Sequence, residues 1–425
     1  MSDASPKEPL IEIRDPERDR YASLDLIRWW DQERLRQAQV MVVGIGALGN
    51  EVLKNLALLG VGKVLIVDCD RIEASNLSRS ILFRLEDTGR RKVDVAAEQI
   101  RHINPDVQVI PIHGDVRHDL GAGIFRRMDV VLGCLDNRAA RLAVNRACYR
   151  VGVPWIDGAL DILMGIVRVF IPPDSACYEC TLTEQDYQLL NQHYACPQLR
   201  PEDVMQGRMP TTPTSASIIG ALQVQEAVKL LHGLEVPAGT GFYFNGQTYK
   251  TSLITYSRRQ DCPSHDPYDN IIPLDAGTNS LTVGAFLDLV AQTLGEEPVL
   301  LLEQELVRQL FCPQCQQTEP IYRPFAAVVP DFIPCPDCRT NRIPDVTTRL
   351  TRQGTAAQIS LKQIGVPGLA ILKVESGHHP FFFELKQDEA LLLPGWTHRP
   401  KPMRVTTTPE ADLEPNFKST IHPTI

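Results

Sequence analysis

Residues 40–68 read VMVVGIGALGNEVLKNLALLGVGKVLIVD, and few folds accommodate that order. The apolar run at 40–43 suits a strand buried on both faces. Gly44, Gly46 and Gly49 follow at once as G-x-G-x-x-G. Residues 47–59 then repeat apolar side chains at helical spacing, and 63–67 form a second strand closed by Asp68. Together they make a βαβ unit. Gly44 allows the tight turn, Gly46 lets backbone approach a phosphate, and Gly49 lets the helix pack on the sheet. The helix N-terminus offers free N–H groups and the positive end of a dipole, which favour an anion. Asp68 can accept hydrogen bonds from ribose hydroxyls. The motif alone points to NAD, but the residues after Asp68 point elsewhere.

The next stretch, CDRIEASNLSRSILF, reads as a loop carrying Asp70, Asn76 and Arg79. Arg79 is a planar, permanently charged donor suited to phosphate. Lys92 opens the helix at 93–103, where a lysine can meet a polyphosphate as a point charge. Strands follow at 107–112 and 130–132. The second runs into GCLDNRAARLAVN, so Asp136, with Asn137 beside it, sits at a strand's C-terminal end next to the crevice. An acid there can hold Mg²⁺, which takes few protein ligands. Each charge alone reads as a solvated surface residue. Together they suit a triphosphate better than a dinucleotide. Upstream, 21–38 reads as a packing helix, with Arg20 or Arg28 as alternatives for reaching a phosphate across a subunit boundary.

The cysteines carry a second message. The 425-residue chain has eleven, and six fall into C-x2-C pairs. The charged start has no apolar signal core, and no run of 18 apolar residues occurs, so a cytoplasmic protein without a membrane span is expected. Cysteines there mean metal or catalytic thiols rather than disulfides. Cys177 and Cys180 form half a zinc site, and Cys262 and His265 repeat the spacing. Cys312, Cys315, Cys335 and Cys338 form a zinc ribbon. Both sets are closed, structural Zn²⁺ sites. Cys69 and Cys134 lie in apolar runs and read as buried. The net charge of −9 argues against nucleic acid as a partner. Residues 154–171 read as two strands with Asp157 and Gly158 between them. The run PTTPTSASIIGALQVQEAVKLL reads as a long amphipathic helix with Thr or Ser as its N-cap.

VDCDRIEASNLSR, GRRKVD, CLDNRAAR and CYEC resemble the adenylation domain of ubiquitin-activating enzymes and of the ThiF, MoeB and HesA proteins, over about residues 20–265. The resemblance implies that Gly46, Asp68, Asn76, Arg79, Lys92 and Asp136 bind ATP and magnesium. It also implies adenylation of a carrier protein's C-terminal glycine, with release of pyrophosphate. Ser80 stands where the family has Gln, Ser23 stands near a family Arg, and His265 replaces a fourth cysteine. Cys196 lies in a polar, proline-rich stretch. A family loop cysteine before such a helix forms the carrier thioester, so the resemblance makes Cys196 the nucleophile, with His193 and Arg200 as candidate activators. SLKQIGVPGLAILKV is similar to the closing part of the ubiquitin-fold domain that ends eukaryotic activating enzymes and recruits the conjugating enzyme.

The expected architecture is α/β. A flexible start (1–19) precedes a Rossmann-like doubly wound adenylation domain (20–268) with a catalytic-cysteine loop at 181–210. A smaller α+β, β-grasp-like domain (269–393) carries the ribbon at 306–345, and a mobile tail (394–425) ends the chain. The expected function is activation of a ubiquitin-like protein and transfer to a conjugating-enzyme-like partner, by a homodimer on family grounds. The alternative is a sulfur-carrier adenylyltransferase for thiamine or molybdopterin synthesis. An NAD(P)-dependent dehydrogenase is disfavoured by Arg79, Lys92 and Asp136. A catalytically idle carrier-binding scaffold is the remaining rival.

Overall fold

The structure is a computed structural model that describes residues 19–188, 211–295, 297–328, 334–377 and 379–396. Where one packing helix was expected over 21–38, the chain forms a 3-10 turn, Leu24–Leu26, and a short helix α1 (Gln32–Gln37). Asp31 causes the break: its carboxylate accepts from the Glu33 and Arg34 N–H groups and starts a new helix.

The βαβ unit forms as expected: β1 (Gln39–Val43), α2 (Ala47–Leu59) and β2 (Lys63–Asp68). Next come α3 (Lys92–Ile103), β3 (Gln108–His113), α4 (Ala122–Arg126), β4 (Val130–Gly133) and α5 (Arg138–Val151). β5 (Trp155–Asp161), β6 (Met164–Phe170), α6 (Pro213–His232), β7 (Thr240–Asn245) and β8 (Lys250–Thr255) complete an eight-stranded sheet. Its order is β3-β2-β1-β4-β5-β6-β7-β8. The first five strands are parallel and the last three antiparallel. β1 to β5 lie between two layers: α2, α3 and α6 cover Val42, Ile66 and Leu132 on one face, and α4 and α5 cover Met41, Val67 and Val131 on the other. Fully burying each such side chain contributes roughly 1.5–3 kcal/mol. As expected, the hydroxyl of Thr212 caps α6, accepting from Ser215 N.

Three expectations are corrected here. Asp157 and Gly158 lie inside β5, and the turn falls at Ile162 and Leu163. Cys69 is exposed, because it stands just past the end of β2. The tail does not begin loose at Pro394: Trp396 is 5% exposed, lies over the Lys63 ammonium, and belongs to the α4–α5 core.

A second sheet contains β9 (Ile272–Leu274), β10 (Val299–Phe311), β11 (Thr318–Pro324), β12 (Ile343–Leu350), β13 (Ile371–Ser376) and β14 (His379–Leu385). Its order is β11-β10-β13-β14-β9, with β12 also on β10, and β9 runs parallel to β14. The helix α7 (Val283–Leu294) packs Phe286, Leu287 and Val290 on one face. Ile371 and Phe382 on the other face join the core beneath α4 and α5. Around this contact Arg127 meets Glu384 at 2.6 Å, and Glu389, on the final short helix α8 (Glu389–Leu392), at 2.7 Å; Arg126 meets Glu384 at 2.8 Å.

Candidate functional site

The sheet's connectivity reverses between β1 and β4. From β1 the chain winds outward through β2 and β3, then returns to β4 and β5. A crevice opens at such a switch point, beyond the strands' C-terminal ends. Several of the expected nucleotide residues lie on this edge: the glycine loop, Asp68, Asp70 and Lys92 are linked by contact, and the loop that carries Asp136 touches Gly44. Gly44 ends β1 at φ +91°, and a Cβ there would stand 2.4 Å from the Cys134 carbonyl oxygen. The loops leaving β1 and β4 therefore touch, and no side chain fits between them. A Cβ on Gly49 would stand 2.0 Å from the Gly44 carbonyl oxygen. Gly46 differs: a Cβ there meets nothing within 4 Å. It is the N-cap of α2 and supplies no side-chain cap. The helix thus presents unsatisfied N–H groups beside open space, the geometry of an anion cradle.

Asp68 is engaged with the glycine loop itself. Its Oδ2 accepts from Ile45 N at 2.6 Å and its Oδ1 from Asp70 N at 2.7 Å. Burial pushes its carboxyl above the ordinary value, with Lys92 and the two N–H groups pulling the other way. Lys92, at the start of α3, donates to Asp70 Oδ2 at 2.8 Å; its side chain is 10% exposed while that of Asp70 is 61% exposed. The ammonium is thus held at the crevice by a carboxylate that solvent can reach. Asn76 and Arg79 lie on a 3-10 segment, Ala74–Arg79. Asn76 Oδ1 accepts from Glu73 N, and the half-buried Arg79 donates from Nη1 to Ser75 O at 2.8 Å. Asn137 caps α5 by accepting from Ala140 N at 2.8 Å. The Asp136 carboxylate is exposed beside it and accepts from Asn137 Nδ2 at 3.1 Å. A solvent-facing carboxylate at a strand end is a hard oxygen donor of the kind Mg²⁺ takes.

Arg20 donates to Ile103 O at 3.1 Å, at the C-terminal end of α3. That is about 16 Å along the helix from Lys92. Arg28 is exposed. Cys196, His193 and Arg200 lie outside the described residues. Two thiols beside the crevice are held above the ordinary value: partial desolvation and the charges of Asp70 and Asp68 push Cys69 up to about 11, and full burial pushes Cys134 up as well.

Both cysteine sets assemble. Cys177, Cys180, Cys262 and His265 bring their ligand atoms within 4.8 Å of one another, as do Cys312, Cys315, Cys335 and Cys338. In the first set Cys177 Sγ lies 3.7 Å from Cys180 Sγ and 3.5 Å from Cys262 Sγ, and Cys180 Sγ lies 3.5 Å from His265 Nε2. In the second, Cys312–Cys338 is 3.4 Å, Cys315–Cys335 3.6 Å and Cys315–Cys338 3.9 Å. A zinc tetrahedron with Zn–S near 2.3 Å has edges of about 3.8 Å, so either set could hold such an ion. His265 stands with the three cysteines as the fourth potential ligand of the first set.

Sequence reasoning missed a polar group behind the crevice. Arg141 on α5 and Arg168 on β6 both pair with the fully buried Asp157, at 2.9 and 3.0 Å. Gln223 on α6 donates to Gly133 O and Ile156 O, tying β4 to β5. The signal was present: Asp157 and Arg168 are charged residues in apolar strands, paired directly across the β5–β6 register.

The profile described as the ThiF family matches residues 19–264. The chain is 33% identical to the sulfur carrier protein ThiS adenylyltransferase of Escherichia coli K12, over 56% of this chain and 90% of that one. It is 32% identical to the SAMP-activating enzyme E1 of Haloferax volcanii, over 57% and 86%. Among solved structures, E. coli MccB with ATP superposes with a TM-score of 0.50 at 21% identity, covering 60% of this chain and 76% of that one, a likeness of fold. With more than half of its length matched, crevice included, the chain belongs to the ThiF family.

Proposed function

We propose that this protein is an ATP-dependent activating enzyme for a ubiquitin-like protein. The observation that carries the reading is the switch-point crevice. It combines an uncapped helix N-terminus at Gly46, Lys92 held on Asp70, and the exposed carboxylate of Asp136. The relatives' names, an adenylyltransferase for a sulfur carrier and an activating enzyme, support the same chemistry. A C-terminal glycine carboxylate attacks the α-phosphate of ATP, a carboxylate-to-phosphorus bond forms, and pyrophosphate leaves. Lys92 and Arg79 neutralise phosphate charge as it develops. Asp136 would hold Mg²⁺, which supplies further charge neutralisation on the phosphate oxygens. Asp68 shapes the glycine loop and presents its edge to the ribose.

The Cys196 thiolate then attacks the acyl carbon, and AMP departs. Arg28, exposed where Arg20 is tied down, is the candidate for reaching a second subunit's site in a homodimer. The adenylation unit spans 20–268. The region 269–393 is a ubiquitin-fold-like domain that receives a conjugating-enzyme-like partner. Its parallel pairing of first and last strands beside α7 supports that reading, while the long β10 and its ribbon depart from a simple β-grasp. Both cysteine sets hold Zn²⁺ structurally.

The second reading, a sulfur-carrier adenylyltransferase without thioester transfer, is favoured by the E. coli relative's name. Pyrophosphate exchange with candidate glycine-ending carriers tests both. Exchange with a reducible carrier adduct on Cys196 supports the activating enzyme, and exchange with none supports the sulfur-carrier reading. No exchange with any carrier refutes both.

A further inference from the structure

We propose that Arg141, anchored on Asp157, is a positioning residue that aims the Asp136 carboxylate and thereby sets the site's affinity for a divalent cation. The proposal rests on the reading that Asp136 holds that cation. Arg141 Nε donates to Asp157 Oδ1 at 2.9 Å. Its Nη2 reaches past the acid to the Leu135 carbonyl, and lies 3.3 Å from Gly158 O. Asp157 is fully buried, and Arg168 Nη1 holds its other oxygen at 3.0 Å. One guanidinium thus spans a buried anion and a carbonyl of the crevice loop.

The Leu135 carbonyl matters because it belongs to the peptide bond leading into Asp136. The plane of that bond also contains the N and Cα of Asp136. Pinning the carbonyl orients the bond about which Asp136 carries its side chain. Asn137 is fixed from the other side: its side chain caps α5, and its carbonyl accepts from Arg141 N at 3.3 Å. Asp136 is therefore gripped through the residues on both sides, while its carboxylate faces solvent. A cation held by few protein ligands depends on such support, because each ligand's direction counts. A buried ion group is weak evidence for stability. Arg168 would suffice to neutralise Asp157, so the second arginine, with one arm on the loop, is explained by positioning.

Arg141→Lys keeps the charge but cannot bridge both acceptors. Arg168→Lys disturbs the same buried acid without touching the Leu135 carbonyl, and serves as the matched control. Calorimetric titration of a non-hydrolysable ATP analogue across a Mg²⁺ series reads the cation midpoint without turnover. Denaturation of each variant reads folding. Arg141→Lys is expected to raise the Mg²⁺ midpoint roughly 10-fold or more, with binding restored at saturating Mg²⁺. Arg168→Lys is expected to lower stability and leave the midpoint near wild type. Should Arg141→Lys fold poorly, Asp157→Asn loosens the anchor while keeping the guanidinium, and is expected to move the midpoint in the same direction. An unmoved midpoint in Arg141→Lys, or equal movement in both arginine variants, overturns the positioning role alone. Nucleotide affinity indifferent to Mg²⁺ in the wild type sinks the cation reading, and the proposal with it.

Discussion

The three glycines make separable demands, and Gly46→Ala isolates the one that concerns a ligand. Gly46 has φ −80°, which alanine adopts, and a Cβ there meets nothing within 4 Å. Two effects on stability oppose each other. Alanine is a worse N-cap than glycine by roughly 0.5–1 kcal/mol. It also restricts the unfolded chain, which returns about 0.4–1 kcal/mol. The folded protein should therefore stay within about 0.5 kcal/mol of wild type in urea denaturation. The added methyl stands where a phosphate must approach the α2 N–H groups, so ATP affinity by calorimetry should fall at least about tenfold, some 1.4 kcal/mol. Gly49→Ala should do the reverse. Its Cβ would press on the Gly44 carbonyl at 2.0 Å, and the forced shift should cost about 1–3 kcal/mol or more of stability. If Gly46→Ala binds ATP as tightly as wild type, the anion-cradle reading is wrong. If it unfolds the protein, the open space beside Gly46 is wrong.

Asp136→Ala should abolish pyrophosphate exchange while leaving folding intact; a near-normal rate would remove Asp136 from the site. Cys196→Ala should keep exchange and lose the reducible carrier adduct, and an undiminished thioester would refute its role. Elemental analysis should find two zinc ions per chain, with Cys262→Ser and Cys312→Ser each losing one. His265→Cys should retain both, and a lost ion there would show that the histidine corner is not interchangeable. Arg127→Met leaves the buried Glu384 with Arg126 alone and should cost about 3–5 kcal/mol in denaturation. It should also raise hydrogen exchange in α4 and β14, whereas unchanged protection would mean that the two sheets do not depend on this contact.

Local rules made the βαβ unit, the glycine roles, a Thr or Ser cap on α6 and both cysteine sets legible, since each lies in a short spacing or a single turn. What stayed hidden depends on register and on long-range packing. Asp157 reads as a turn residue beside Gly158 until β6 places Arg168 opposite it and α5 brings Arg141 over it. Trp396 reads as the start of a tail until Lys63 and the α4–α5 core receive it. The segment 21–38 has enough apolar residues for one helix, yet the Asp31 cap divides it. Arg20 and Arg28 are equivalent in sequence, and only the Ile103 carbonyl separates them.

The account stands on the crevice joining a carboxylate to AMP. The most direct measurement is mass spectrometry of a glycine-ending carrier incubated with this protein, ATP and Mg²⁺. A carrier gaining the mass of one adenylyl group, with pyrophosphate released and neither product formed by Asp136→Ala, is the predicted result. A carrier left unchanged while the crevice binds a nicotinamide dinucleotide instead of ATP would contradict it.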